Sequence, residues 1–158
     1  ARDDMLAAVL IASAIMVPIQ FVFSSYSDRH GRKGIFMLGA FLTAIWAFVI
    51  FPLVDTGNFY LIVLAISGGL IFLAMMYGPQ AAFFTELFST EVRYSGATLG
   101  YQFGAIVGGA FAPTIAVKLW TEFDIIWVSA YIALASLLTL ISVMALTETY
   151  QSDLNNTD

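Results

Sequence analysis

The chain has 158 residues, of which 60% are hydrophobic and 11% are charged, and its formal net charge is −5. Soluble domains are about half apolar and about one quarter charged, so this composition excludes an ordinary soluble fold and favours a protein whose surface faces lipid. A negative charge without a basic stripe argues against a nucleic-acid partner, and the absence of cysteine excludes disulfides and thiol catalysis.

Five apolar segments follow one another along the chain, and none of them contains Asp, Glu, Lys, Arg or His. Each has roughly 20 residues or more, enough for a helix rising about 1.5 Å per residue to cross a hydrocarbon core of about 30 Å. The sequence therefore predicts an all-α integral membrane protein with five transmembrane helices. Their predicted bounds are about 5–26, 35–54, 60–84, 97–117 and 125–146. Residues 1–147 then form one transmembrane bundle, and residues 148–158 form a polar tail.

The first apolar segment is followed by a basic loop, SSYSDRHGRKG. The loop residues of interest are Asp28, Arg29, Gly31, Arg32 and Lys33. Loops rich in Lys and Arg stay on the cytoplasmic side of a membrane. The third loop adds Arg93, whereas the second, DTGN, has no positive charge and the fourth has only Lys118. We therefore expect the first and third loops and the C-terminus in the cytoplasm, and the N-terminus outside.

Five polar side chains inside three of the five segments are candidates for a binding site. They are Gln20, Tyr77, Gln80, Tyr101 and Gln102. Counted along each helix from its predicted cytoplasmic end, all five lie at a similar depth. Glutamine is unfavourable in lipid, so each should face protein or water. These residues are predicted to form a polar layer that binds substrate; the alternative is that they only hydrogen-bond to one another between helices.

The loop after the third segment contains Glu86 and Arg93, separated by six residues. On the predicted topology this loop lies on the same side of the membrane as the first loop, and Glu148 of the tail lies there too. A carboxylate such as Asp28 can also accept N–H groups at a helix N-terminus. These charges are predicted to form one cytoplasmic network that includes an Arg32–Glu86 pair. The alternative is a set of solvated loops whose arginines only set the topology.

The fourth segment has a small residue at every fourth position. The row consists of Gly96, Gly100, Gly104 and Gly108. Such a row lets another membrane helix approach closely, and Ala8 and Ala12 of the first segment offer one candidate partner surface. The row is predicted to serve helix packing, either as a static contact or as a smooth surface for a rocking motion.

These motifs resemble those of the major facilitator superfamily. The first loop is similar to its signature G-x-x-x-D-R-x-G-R-[RK], with Ser24 where the family usually has glycine. Glu86 and Arg93 match the E-x6-R pattern of sugar-porter-like members. The stretch ELFSTEVRYSGATLGYQFGAIVGGAFAP is similar to the helix 10–11 region of the metabolite:proton symporter branch, which includes shikimate, α-ketoglutarate, citrate and proline/betaine carriers. The ending LTETYQSDL resembles that branch's P-E-T motif, with Thr147 in the proline position.

The resemblance implies helices 8 to 12 of such a carrier, which is an incomplete C-terminal half of its helical bundle. It implies a secondary transporter that takes up a small organic acid or zwitterion with protons by alternating access. It also implies a multi-pass protein of the bacterial inner membrane, whose partners are the lipid bilayer and the missing N-terminal half. In the family, helix 10, here with Tyr77 and Gln80, lines the cavity, and helices 8 and 11 lie between the halves.

The resemblance further implies that the charged loops latch the two helical bundles of the carrier in the outward-open state. The residues of this network are Asp28, Arg29, Gly31, Arg32, Lys33, Glu86, Arg93 and Glu148.

Several kinds of site are missing from the sequence. It has no nucleotide-binding loop, metal-ligand cluster or nucleophile with a neighbouring base, so neither an enzyme nor a bound cofactor or metal is predicted. No acidic residue lies within a predicted span, so the group that carries a coupled proton is expected outside this chain. Two alternatives stay open, a sugar-type facilitator and a non-transporting truncated membrane scaffold. The odd helix count leads us to expect a fragment of a longer carrier.

Overall fold

The computed structural model describes residues 2–146 and consists there of five α-helices. They are α1 (Arg2–His30), α2 (Arg32–Asp55), α3 (Phe59–Glu86), α4 (Arg93–Glu122) and α5 (Ile125–Ala145). All five are long and apolar enough to cross a membrane, judged by length and composition. The predicted all-α membrane fold is confirmed. The predicted polar tail, 148–158, lies outside the described residues.

The first four helices extend beyond their predicted apolar spans at both ends. The prediction counted only charge-free residues, whereas helical backbone geometry continues into the charged flanks. Asp3 and Asp4 occupy the first turn of α1, and Arg29 and His30 its last turn. Acidic residues near a helix N-terminus and basic ones near its C-terminus complement the helix dipole, so these flanks favour the longer helix.

Short turns separate the helices. A single residue, Gly31, lies between α1 and α2, with a φ of 107° that favours glycine because it has no Cβ. Asn58 caps α3 by accepting a hydrogen bond from the backbone N–H of Tyr60 at 3.0 Å, and Asp124 accepts one from the N–H of Ile125 at 2.6 Å at the start of α5. These caps satisfy N–H groups that have no partner inside the helix.

Helix α3 lies at the centre of the bundle, where it packs against both α1 and α2, and α2 packs in turn against α5. Glycines mark the closest approaches. A methyl group at Gly78 would lie 2.9 Å from the backbone nitrogen of Ser24, and one at Gly39 would lie 2.9 Å from Met75. The resemblance puts a glycine at position 24; here Gly78 on the opposite helix provides the small residue that close packing in a membrane requires.

One cluster of the apolar core joins α2, α3 and α5 near the predicted cytoplasmic end. Its buried members are Phe36, Phe83 and Val143. The rings of Phe36 and Phe83 lie 5.8 Å apart, an ordinary distance for a favourable aromatic pair. This cluster fixes α3 relative to α2 just below the charged loops.

Helix α4 packs least against the other helices, and none of its residues is buried within the protein. A methyl group at Gly100, Gly104 or Gly108 would meet nothing within 4 Å, whereas one at Gly96 would lie 2.6 Å from the ring of Phe88. The partner suggested for the glycine row is wrong for the described residues. Ala8 and Ala12 are buried, but α1 packs chiefly against α3, and its backbone makes no close approach to that of α4.

Candidate functional site

A cavity of about 450 Å³ lies between α1, α3 and α4. It is lined by Gln20, Tyr77, Gln80, Ala81, Phe84, Thr85, Ala97, Thr98 and Tyr101. The five lining residues of α3 recur at the spacing of one helical face, as do the three of α4. The cavity therefore forms where these two faces stand opposite each other, with the side chain of Gln20 entering from α1.

Four of the five residues predicted to bind substrate line this cavity, and Gln102 does not. Gln102 follows Tyr101 on α4, and one residue further along a helix turns the side chain by about 100°. It is therefore exposed on another face of α4. The sequence predicted how deep each residue lies along its helix. It did not predict which face of α4 is turned toward the cavity, because packing against other elements sets the rotation of α4 about its own axis.

The cavity also contains two hydroxyl groups that the sequence analysis missed, those of Thr85 and Thr98. Their spacing in the sequence could have identified them, because it places both threonines on the same helix faces as the predicted polar residues. Thr98 lies three residues before Tyr101, and Thr85 lies five residues after Gln80 and eight after Tyr77. Threonine hydroxyls are easily overlooked in membrane helices, because they can bond to the carbonyl of the preceding turn, as Thr85 does to Ala82 at 2.9 Å.

The polar side chains of the cavity are not paired with one another. Within residues 2–146, the side chains of Gln20, Tyr77, Gln80 and Tyr101 make no hydrogen bond to another residue. The alternative reading, in which these groups bond only to each other between helices, is therefore not what the described residues show. Their amide and phenol groups are available to a ligand in the cavity.

The predicted pair of Arg32 and Glu86 is present at the predicted cytoplasmic end. The Nε of Arg32 donates to both carboxylate oxygens of Glu86, at 2.8 and 2.9 Å, and its Nη1 donates to Oδ1 of Asp28 at 2.6 Å. The side chains of Arg32 and Glu86 are each 13% exposed, and that of Asp28 is 56% exposed. Arg32 thus joins the end of α1 and the end of α3 at the start of α2.

Two further cations of the loops, Lys33 and Arg93, bind backbone carbonyls at helix ends. Lys33 donates through Nζ to the carbonyl oxygen of Met144 at 3.1 Å and to that of Leu146, where α5 ends. Arg93 donates through Nε to the carbonyl oxygen of Thr85 at 2.9 Å, where α3 ends. Such carbonyls have no partner inside the helix, and a cation there also complements the helix dipole.

The remaining network residues occupy different positions. Gly31 forms the turn between α1 and α2, and Arg29 is exposed on the last turn of α1. Glu148 lies outside the described residues.

The cavity and the charge network meet in α3, because Thr85 lines the cavity and the next residue, Glu86, binds Arg32. Within residues 2–146, no group of His, Cys, Asp and Glu is arranged to hold a metal ion.

Five helices of membrane-crossing length, with a cavity between three of them that is partly lined by polar side chains, define an α-helical multi-pass membrane protein. The comparison with known families is more specific. The model of the Major Facilitator Superfamily matches residues 4–157, and the chain belongs to that family. The resemblance drawn from the loop motifs is thereby confirmed.

Two relatives indicate which members the chain is similar to. It is 34% identical over 151 residues to the inner membrane metabolite transport protein YhjE of Escherichia coli, an alignment that covers 95% of this chain and 34% of that protein. It is 35% identical over 113 residues to the shikimate transporter of Escherichia coli, with 71% of this chain and 26% of that protein covered.

The chain therefore spans about a third or less of the length of these relatives. No solved structure matches it. Both relatives are named as transport proteins, which are not enzymes, so the prediction that the chain is not an enzyme is also confirmed.

Proposed function

We propose that this chain forms helices 8 to 12 of a carrier that takes up a small organic acid or zwitterionic metabolite with protons, by alternating access. The carrier lies in a bacterial inner membrane, with the C-terminus in the cytoplasm. Membership of the superfamily and the names of the two relatives support a metabolite transporter. The preceding helices and the acid that carries the proton belong to the rest of the carrier.

One observation carries the proposal. Four polar side chains from three helices, Gln20, Tyr77, Gln80 and Tyr101, line one cavity and hydrogen-bond to no other residue within 2–146. Gln20 and Gln80 are half-buried, and Tyr77 and Tyr101 are 44% and 49% exposed, so water or a ligand can reach all four polar groups. A membrane helix directs such groups toward protein or water rather than toward lipid. The cavity is accordingly proposed as this chain's part of the substrate site.

The two glutamines of α3 and α4 provide a matched test. In the full-length carrier, Gln80→Ala removes an amide from the cavity and should raise KM for the transported metabolite about five- to tenfold, the effect of one or two lost hydrogen bonds. Gln102→Ala makes the same change outside the cavity and should leave KM within about twofold. Initial uptake rates are measured per inserted molecule. Equal effects of the two variants would remove the cavity from the substrate pathway.

Proton coupling separates the proposal from its two alternatives. Purified full-length carrier is reconstituted in vesicles with an imposed proton gradient. A symporter accumulates the metabolite above its equilibrium level and loses this ability when an uncoupler collapses the gradient. A sugar-type facilitator reaches only equilibrium under both conditions, and a non-transporting scaffold takes up nothing.

The charge network is proposed to control the cytoplasmic gate. In this structure the network connects α1, α2 and α3 through Arg32, and α2 and α5 through Lys33, all within one bundle. It holds the cytoplasmic ends of these helices together as one surface. In the outward-open state, that surface packs against the other bundle of the carrier and closes the inner side.

A further inference from the structure

Helices α1 and α2 are neighbours in the chain but pack little against each other. Gly31 alone separates them, and each makes far more backbone contact with α3 than with the other. A cavity of about 360 Å³ lies between the two helices, and Met75 of α3 also lines it. Gly34 lines it too, and a methyl group there would meet nothing within 4 Å. The space between α1 and α2 is therefore an open groove rather than a packed contact.

A second cavity, of about 410 Å³, continues this space around α1. The two cavities share Val22, Tyr26 and His30 as lining residues, and together they are named the α1–α2 groove. From His30 to Val22 the groove follows eight residues of α1, about 12 Å of helix. It therefore begins at the predicted cytoplasmic end and extends toward the middle of a hydrocarbon core of about 30 Å.

The deeper part of the groove has apolar walls. Phe21, Val22 and Leu38 line it, and their side chains are 73%, 63% and 49% exposed. Apolar side chains at this depth in a membrane helix are suited to contact with acyl chains, which resemble them chemically.

The shallow end of the groove is polar and carries a cation. The residues there are Ser25, Tyr26, Arg29 and His30. The ring of His30 stacks on that of Tyr26 with 4.3 Å between centroids, and its Nδ1 lies 3.3 Å from the Tyr26 carbonyl oxygen. No Asp or Glu lines the groove in the described part of the chain, and the adjacent carboxylate of Asp28 is bound by Arg32 at 2.6 Å. The shallow end thus favours an anion.

This combination of groups suits a phospholipid. The guanidinium of Arg29 has a planar set of donors that matches phosphate oxygens, and the hydroxyls of Ser25 and Tyr26 are further donors. The cytoplasmic leaflet of a membrane carries anionic lipids, and basic pockets between transmembrane helices on that side bind their headgroups. A phospholipid has its charge and its apolar chains in the same order along the membrane normal as the groove has its cation and its apolar walls.

We infer that the α1–α2 groove is a binding site for an anionic phospholipid. Its phosphate accepts hydrogen bonds from Arg29 and the neighbouring hydroxyls, and one acyl chain occupies the apolar part between α1 and α2. The charge of the shallow end selects this occupant over an apolar helix from the rest of the carrier. The inference is independent of the transported metabolite, because no lining residue of the groove also lines the cavity between α1, α3 and α4.

The test crosslinks lipid to the groove. The full-length carrier, with the photoreactive amino acid p-benzoylphenylalanine in place of Leu38, is reconstituted in vesicles of equal amounts of dioleoylphosphatidylglycerol and dioleoylphosphatidylcholine. These lipids share their acyl chains and differ in net charge. Mass spectrometry of the crosslinked products should show phosphatidylglycerol about fivefold above phosphatidylcholine, the effect of one arginine on an anionic lipid.

Leu138 on α5 is the matched control position for the crosslinker. Its side chain is 57% exposed, and it lies about as far from the predicted cytoplasmic end of its helix as Leu38 does. It lines neither part of the groove. The crosslinker at this position should therefore capture the two lipids at their ratio in the vesicle.

Three variants, each with the crosslinker at position 38, then locate the preference. Arg29→Gln removes the cation and should return the captured lipids to the vesicle ratio. Lys118→Gln removes a cation from α4, away from the groove, and should keep the enrichment. Gly34→Leu keeps every charge but places a side chain in the open space of the groove, so it should also abolish the enrichment.

Four outcomes would overturn the inference. Capture of the two lipids in equal amounts at position 38, or an enrichment that survives Arg29→Gln, would mean that the groove does not select an anionic lipid. An enrichment that survives Gly34→Leu would mean that Arg29 attracts lipid at the membrane surface rather than into the groove. Crosslinks to protein instead of lipid would show that the rest of the carrier covers this face. None of these results depends on whether Gln80→Ala changes transport.

Discussion

Arg32 binds two carboxylates, those of Glu86 and Asp28, at the predicted cytoplasmic end of the helices. Exposed ion pairs contribute little, with a median of about 0–1 kcal/mol. The pair with Glu86 differs because both side chains are only 13% exposed and Arg32 Nε reaches both carboxylate oxygens. At an effective dielectric constant near 20, two charges about 4 Å apart attract by about 4 kcal/mol before desolvation is subtracted. Removing Arg32 also takes this partner from the Glu86 carboxylate in a poorly hydrated place, whereas removing Glu86 still leaves Arg32 its contact with Asp28.

Neutralising either residue of this pair should slow uptake and bias the carrier toward the inward-open state. A net preference of about 1–2 kcal/mol shifts a two-state equilibrium about five- to thirtyfold. The measurement is a double-mutant cycle on initial uptake rate per inserted molecule, with Arg32→Gln, Glu86→Gln and both together. The reversed pair, Arg32→Glu with Glu86→Arg, should recover part of the activity.

Asp28→Asn is the comparison for that cycle, because Asp28 is 56% exposed and water can replace its contact with Arg32. Its effect should be smaller than that of Glu86→Gln. Strictly additive losses in the cycle would mean that Arg32 and Glu86 do not act as a pair, and the first loop would then be only a topology signal.

The sequence predicted the Arg32–Glu86 pair because both partners are charged and their loops were placed on one side of the membrane. It did not predict the partners of Lys33 and Arg93, which donate to backbone carbonyls. Every residue carries such an acceptor, so the sequence gives no sign of which carbonyl is used. Counting residues from the predicted cytoplasmic end of each helix identified four of the side chains that line the cavity. It also included Gln102, which lies on another face of α4. The face that α4 turns toward the cavity depends on contacts such as that of Gly96 with Phe88, which residue counting does not reveal.

At the scale of helices, the glycines differ in what surrounds them. Gly78 lies against the backbone of α1, where a methyl group would come within 2.9 Å of the Ser24 nitrogen. Backbone cannot rotate away as a side chain can, so α1 and α3 would have to separate. Gly104 on α4 has open space around it in the described structure. The regular spacing of the glycine row in α4 was the stronger signal in the sequence, yet Gly78, which belongs to no repeat, makes the tighter contact.

Gly78→Ala should therefore destabilise the helical bundle by about 1–3 kcal/mol, the usual cost of overpacking. Gly104→Ala makes the same chemical change without a clash in this bundle and should be close to neutral. Thermal unfolding of the purified full-length carrier, together with the amount inserted in the membrane, measures both. Equal stability of the two variants would contradict the close approach of α1 and α3. A larger loss for Gly104→Ala would place a partner from the rest of the carrier on the glycine row.

At the scale of the whole molecule, the orientation in the membrane can be tested directly. Thr56 lies just beyond the C-terminal end of α2, and Ser89 lies in the turn between α3 and α4. The intervening helix, α3, has 28 residues, which at about 1.5 Å per residue is longer than a hydrocarbon core of about 30 Å. Cysteines introduced at Thr56 and Ser89 should react with a membrane-impermeant reagent from the outside and the cytoplasmic side, respectively. Labelling of both from one side would rule out the proposed topology.

The isolation of α4 within this bundle has a consequence for biosynthesis. It is the least apolar of the five helices, and no residue of it is buried. A ribosome makes the N-terminal part of a carrier first, so a docking surface for α4 would already be in the membrane when α4 leaves the translocon. Without that surface, the glycine face of α4 would stay in contact with lipid. Copies of the chain made alone would then be preferred substrates for the proteases that remove unassembled membrane proteins.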